Sequence, residues 1–159
     1  IIFRIVSVIL LLSLMVTIFY LSAQVATDSA KLSDGFSYKI LSVFFPELKE
    51  MTEEQRSEFY DSFPIPIRKI AHFCIYGLLG AFAFLSTVSY KQFLYILRNA
   101  TAFAICFLYA VSDEIHQLFV VGRSGEIRDV FIDSTGSLIA IIVLALFCFA
   151  VKNIRKKII

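Results

Sequence analysis

Three short stretches of this chain carry side chains able to move protons, pair with anions or hold a cation. Lys69, His72 and Tyr76 stand at i, i+3 and i+7, a spacing that a helix stacks on one face. Asp113 and Gln117 stand at i, i+4, and Glu114 and Gln117 at i, i+3. Asp129 and Asp133 repeat the i, i+4 step, with Gly136 and Ser137 next along that face. Arg123 sits in the turn Gly122-Arg123-Ser124-Gly125 that joins the second stretch to the third. A histidine among carboxylates, with basic residues at hand, suits general acid–base chemistry or the binding of a phosphorylated group. His72, Asp113, Glu114 and Asp133 are therefore the catalytic candidates, and Lys69, Tyr76, Gln117, Arg123 and Asp129 the binding candidates.

Blander readings apply to some of these residues. Charged side chains at helix ends often only snorkel to an interface, and Arg68, Glu126 and Arg128 are read that way. Asp133 and Glu114 differ because each falls within an apolar stretch, where a charge is costly unless it is paired or used. His72 alone would be a packing residue; its place between Lys69 and Tyr76 makes it a functional candidate. His116 points away from the Asp113/Gln117 face. No HExxH is present and no helix carries two histidines on one face, so no metal is expected, with a divalent cation among the aspartates as the one exception left open. There is no GxSxG and no Walker motif. Cys74, Cys106 and Cys148 lie in apolar runs without a CxxC pair and read as buried free thiols rather than a disulfide framework.

The elements that must hold these residues are long apolar runs. The chain has 159 residues, 58% of them hydrophobic and only 18% charged, with a mean hydropathy of +0.80. A soluble domain has about 45–50% apolar and about 25% charged residues. About 20 residues at 1.5 Å each cross a hydrocarbon core of roughly 30 Å, and four runs reach that length, at about 4–22, 69–89, 99–121 and 129–151. The first exceeds the roughly 7–15 apolar residues of a signal peptide and reads as an uncleaved span, despite the small residues in Leu21-Ser22-Ala23-Gln24. The loop 23–66 is acidic, with an apolar patch from Phe36 to Phe45. In it Thr52 and Gln55 form a capping-box pair that starts a short amphipathic helix, and Pro64 and Pro66 end the segment. The predicted fold is thus all-α: a polytopic membrane bundle of about four transmembrane helices with a short amphipathic helix in the first outer loop.

With four spans, Arg4, the Lys91/Arg98 turn and the Lys152–Lys157 tail fall on one side, which the positive-inside rule makes cytoplasmic. Both termini are then cytoplasmic, and the three polar stripes lie together at the outward end. The net charge of +2, without a basic stripe, does not suggest a nucleic-acid partner.

The polar motifs also carry a resemblance. Lys69-Ile-Ala-His72-Phe-Cys-Ile-Tyr76-Gly77, then Asp113-Glu114-Ile-His-Gln117 running to Gly122-Arg123-Ser-Gly125, then Asp129-Val-Phe-Ile-Asp133-Ser-Thr-Gly136 are similar to the VanZ-like family of bacterial membrane proteins. Ser22-Ala-Gln24, with Ser29 and Ser33 following, resembles that family's serine- and glutamine-containing segment. The resemblance implies a small protein of the bacterial cell membrane linked to low-level teicoplanin (glycopeptide) resistance, and it implies no particular reaction. The partners expected on this basis are membrane lipids, a lipid-linked cell-wall precursor or the glycopeptide itself. Two functions fit: an envelope factor whose outward cluster binds a lipid-linked or glycopeptide head group, or a membrane-embedded hydrolase or transferase acting on a phospholipid or lipid-linked phosphate. A closed cavity lined by His72, Glu114, Arg123 and Asp133 would favour the enzyme. A proton-relay role is weaker, because no polar stripe crosses the core.

Overall fold

The computed structural model describes residues 2–24, 35, 38–39, 42–43, 45–62, 67–88 and 94–158. Ser29 and Ser33, residues 36, 37, 40, 41 and 44 of the apolar patch, Pro64, Pro66 and the turn at Lys91 and Gln92 lie outside them. Four long helices dominate: α1 (Ile2–Ser22), α3 (Ile67–Val88), α4 (Tyr95–Gln117) and α5 (Ile127–Ile158). Between α1 and α3 lie a 3-10 turn at Pro46–Lys49 and the nine-residue α2 (Glu53–Asp61). Among the described residues there is no strand. All four long helices are long and apolar enough to cross a membrane, α4 being the least apolar. Their outward faces carry bare apolar side chains such as Phe3, Val16, Leu108, Val143 and Phe147. Water would penalise so much exposed apolar surface, whereas hydrocarbon accepts it. The chain is a multi-pass membrane protein.

The third span departs from its predicted bounds. The helix runs from Tyr95 to Gln117 rather than over 99–121, so Leu118–Val121 are a turn despite their apolar character. At its start Arg98 lies over the Tyr95 ring at 5.2 Å, and the Tyr95 hydroxyl donates to the Ala145 carbonyl at 2.7 Å. These contacts keep in the helix a first turn that the charge of Arg98 had excluded from the predicted span. The turn ends at Gly122, whose φ of 78° is a conformation glycine adopts without strain. At 32 residues α5 is also longer than predicted. It spans about 48 Å, so its basic end extends well beyond a hydrocarbon core of roughly 30 Å.

Without a hydrophobic drive between helices in lipid, close packing has to come from small residues and interhelical hydrogen bonds. The α3–α5 contact shows both. A methyl group at Gly80 would lie 2.5 Å from the Ser137 carbonyl oxygen, and one at Gly136 would collide with the Phe73 carbonyl. The two backbones touch, and the Ser137 hydroxyl crosses the seam to the Tyr76 carbonyl at 2.9 Å. Gly77 is less constrained, with the Gly136 carbonyl 3.6 Å from where its Cβ would be. Ala102, Cys106 and Ala110 give α4 a buried stripe of small side chains, and Tyr76, Leu79, Ala83 and Phe84 fill the centre. Helix α1 packs on α3 and α4, with Leu11 and Ile18 buried and the Tyr109 hydroxyl donating to the Met15 carbonyl.

The thiol expectation needs correcting. Cys106 is buried, but Cys74 and Cys148 are exposed on the helix surfaces, all three being free. A thiol is apolar enough to face lipid and needs no protein cover there. The capping box of α2 is as expected: the Thr52 amide donates to Gln55 Oε1 at 2.9 Å, and the Gln55 amide to Thr52 Oγ1 at 3.3 Å. The helix rests on the preceding turn through Arg56 Nε, which donates to the buried Leu48 carbonyl, and through an edge contact between Phe45 and Phe59.

Candidate functional site

The C-terminal ends of α1 and α4 and the N-terminal ends of α3 and α5 come together at one end of the bundle, and the three polar stripes meet there. Two kinds of arrangement result. The first is a scaffold in which every named group has a partner. Arg123 donates through Nε to the Gln24 carbonyl (3.0 Å), through Nη2 to the Leu21 carbonyl (3.3 Å) and through Nη1 to Gln117 Oε1 (3.2 Å). It thereby fastens the last turn of α1 and the residues just beyond it. Gln117 passes the contact on, its Nε2 donating to Glu114 Oε1 at 3.0 Å and to Asp113 Oδ2 at 3.3 Å. Glu114 Oε2 in turn accepts the Glu126 amide at 2.9 Å, a carboxylate at the start of α5 where the helix dipole favours negative charge. Gly125 lets the loop approach α4 so closely; a Cβ there would stand 2.7 Å from the Glu114 carbonyl oxygen.

The second arrangement is under-satisfied. Asp133 is 1% exposed, and neither of its carboxylate oxygens has a hydrogen-bond partner among the described residues. His72 Nδ1 stands 3.6 Å from Asp133 Oδ2, just outside hydrogen-bond reach. Asp113 is held by one oxygen only: Oδ2 accepts from the Ser22 hydroxyl at 2.9 Å and from Gln117, while buried Oδ1 has no partner. The fully buried Tyr76 hydroxyl lies near both aspartates without a hydrogen bond of normal geometry. One ligating atom from each of His72, Asp113 and Asp133 falls within 4.8 Å of the other two.

At the rim, Lys69 Nζ pairs with Asp129 Oδ1 at 2.5 Å and Glu126 Oε2 at 3.2 Å. A cleft of about 10 Å³ opens between Lys69, His72, Gln117, Asp129, Ile132 and Asp133. That volume holds about one water molecule. Lys69 and His72 are partly exposed beside it, whereas Asp133 forms its floor.

All nine residues singled out from sequence thus lie at this one end, but they divide. His72, Asp113, Asp133 and Tyr76 surround the under-satisfied centre, Lys69 and Asp129 form the rim, and Glu114, Gln117 and Arg123 are engaged in the scaffold. Glu114 and Arg123 do not line the cleft. His116 is apart from the site, stacked on Phe19 with ring centroids 4.3 Å apart. Ser22 was missed as a site residue, although Ser22-Ala-Gln24 stood out as a motif. Its position at the end of the first span, the same end as the polar stripes, is the signal that pointed to it.

These features define a class: a four-span helical membrane protein with a buried acidic centre at one end of its bundle. The VanZ/LLP1 family model matches residues 7–148, nearly the whole chain, and the protein belongs to that family. No curated protein and no solved structure matches it.

Proposed function

We propose that the protein works in the bacterial cell envelope with its polar end outward, where it binds the head group of a membrane lipid, of a lipid-linked cell-wall precursor or of a glycopeptide such as teicoplanin. The observation that carries this reading is the cleft rimmed by Lys69, His72 and Asp129 at the end of the spans. A site for one water-sized group cannot enclose a whole head group. It suits a single polar atom reaching in from a molecule that lies along the bundle end, with Lys69 and His72 as the accessible contacts. The family membership supports an envelope role, and the VanZ-like resemblance links that role to teicoplanin tolerance.

One observation favours a membrane-embedded enzyme as the second reading. His72 stands 3.6 Å from buried Asp133 at the edge of a water-sized cleft, which places a base and a carboxylate beside a space for the attacking water. The cavity is lined by only two of the four residues that such a reaction was expected to need. Lipid extracts from cells carrying the wild-type protein and the His72→Ala variant distinguish the two. Binding requires that His72→Ala lower teicoplanin tolerance while the lipid profile stays unchanged. A lipid species that accumulates or disappears only with His72→Ala would instead establish catalysis.

A further inference from the structure

We propose that His72, Asp113 and Asp133 form a binding site for a single divalent transition-metal ion of the Zn²⁺ or Mn²⁺ kind. The site does not depend on the head-group reading. Three independent features of the geometry lead to it.

The first is convergence. The three residues come from three different helices, yet each offers a ligating atom within 4.8 Å of the others. Atoms bound at about 2.1 Å to one ion in a tetrahedral site lie about 3.4 Å apart, so closing the set requires the most distant pair to approach by up to about 1.4 Å through side-chain rotation.

The second is the pattern of satisfaction. Ser22 and Gln117 both direct donors at Asp113 Oδ2 and leave Oδ1 buried and unpartnered. Metal-binding carboxylates are oriented this way by their outer hydrogen bonds, with the remaining oxygen free for the ion. Both oxygens of Asp133, which is 1% exposed, are also unpartnered. A buried carboxylate without a donor is expensive; Lys69 is paired with Asp129 and Glu126, Arg123 is bound to the end of α1 and to Gln117, and the basic group left beside Asp133 is His72, at 3.6 Å. A cation bound by one oxygen of each aspartate neutralises both carboxylates at once.

The third is space. The cleft ends on His72 and Asp133 and holds about one water. Three protein ligands and one water complete a four-coordinate site with an open position. One imidazole nitrogen with two carboxylate oxygens suits Zn²⁺ or Mn²⁺ better than Ca²⁺ or Mg²⁺, which prefer all-oxygen shells and more waters.

The test uses the full chain in detergent with any affinity tag removed. The protein is stripped with EDTA, dialysed against ZnCl₂ or MnCl₂ and then against metal-free buffer, and its metal content is measured alongside its thermal unfolding. The wild type should retain one ion per chain, and a hundredfold excess of the ion over Kd should raise Tm by roughly 5–10 °C over the stripped protein. Asp133→Asn should lose both the ion and the Tm response, whereas His116→Ala, which removes the histidine outside the centre, should keep both. Should Asp133→Asn fail to fold, His72→Gln takes its place with the same expectation. The proposal is overturned if the wild type retains neither ion and its Tm ignores both, or if Asp133→Asn and His72→Gln bind as the wild type does.

Discussion

Glu114 and Asp133 are carboxylates buried at the same end of the bundle, and their surroundings differ in one respect that decides what a substitution does. Glu114 accepts hydrogen bonds at both oxygens, from Gln117 and from the Glu126 amide. Glu114→Gln presents an amide donor to one of these donors, and loss of such a buried bond costs about 1–3 kcal/mol. It should lower thermal stability in detergent. Asp133 accepts none, so in EDTA Asp133→Asn removes a buried carboxylate that no donor satisfies and should leave stability unchanged or raise it. Comparing unfolding of the two variants under identical metal-free conditions checks the opposite directions. Ser22→Ala removes the hydroxyl that fixes Asp113 and should cost about 0.5–2 kcal/mol, the range of interhelical hydrogen bonds in membrane proteins. At this scale the sequence was partly legible. Helical spacing put His72, Asp113 and Asp133 at one end because each lies on its own short stripe. It did not separate Glu114 from Asp133, because the donor that satisfies Glu114 comes from a loop whose path is set by Gly122 and Gly125.

At the scale of elements, the α3–α5 seam gives a sharp contrast between two glycines three residues apart. Gly80→Ala drives a methyl group into the Ser137 backbone and should destabilise by about 1–3 kcal/mol, as overpacking does. Gly77→Ala meets only an ordinary contact with the Gly136 carbonyl and should be tolerated. Thermal unfolding of the two variants in the same detergent reads the difference directly. Spacing alone does not tell which of the two glycines lies at the point where the axes are nearest. The shift of α4 has a similar cause. Hydropathy began the span near Arg98 because a charge marks a boundary, but the Tyr95 ring and its bond to Ala145 keep that turn in the helix. Leu118–Val121 look like span and form a turn because the chain must reverse within a few residues to bring Glu126 back to Glu114. The four spans themselves were legible, since length and apolar content are local properties.

The whole molecule is an up-and-down arrangement of four spans, so the start of α1 and the end of α5 lie at the same face. With Arg4 and Lys152 there, fluorescent reporters fused at either terminus should be active in the cytoplasm, and a periplasm- or exterior-dependent reporter inserted within 45–62 should be active outside. The opposite pattern would invert the polar end and remove the basis for a head-group role in the outer leaflet.

The bond between Ser22 and Asp113 joins residues 91 apart in the chain, and Arg123 reaches the end of α1 from still further along. At about 5–20 residues per second of synthesis, the first span emerges roughly 5–20 s before the residue that will fasten it. During that interval α1 sits in the membrane without its polar partners. A ribosome stalled before residue 113 therefore leaves α1 with its packing on α3 but with the Ser22 hydroxyl unpaired at its end. Assembly of the acidic centre then records that the chain has been made at least as far as Asp133 in α5.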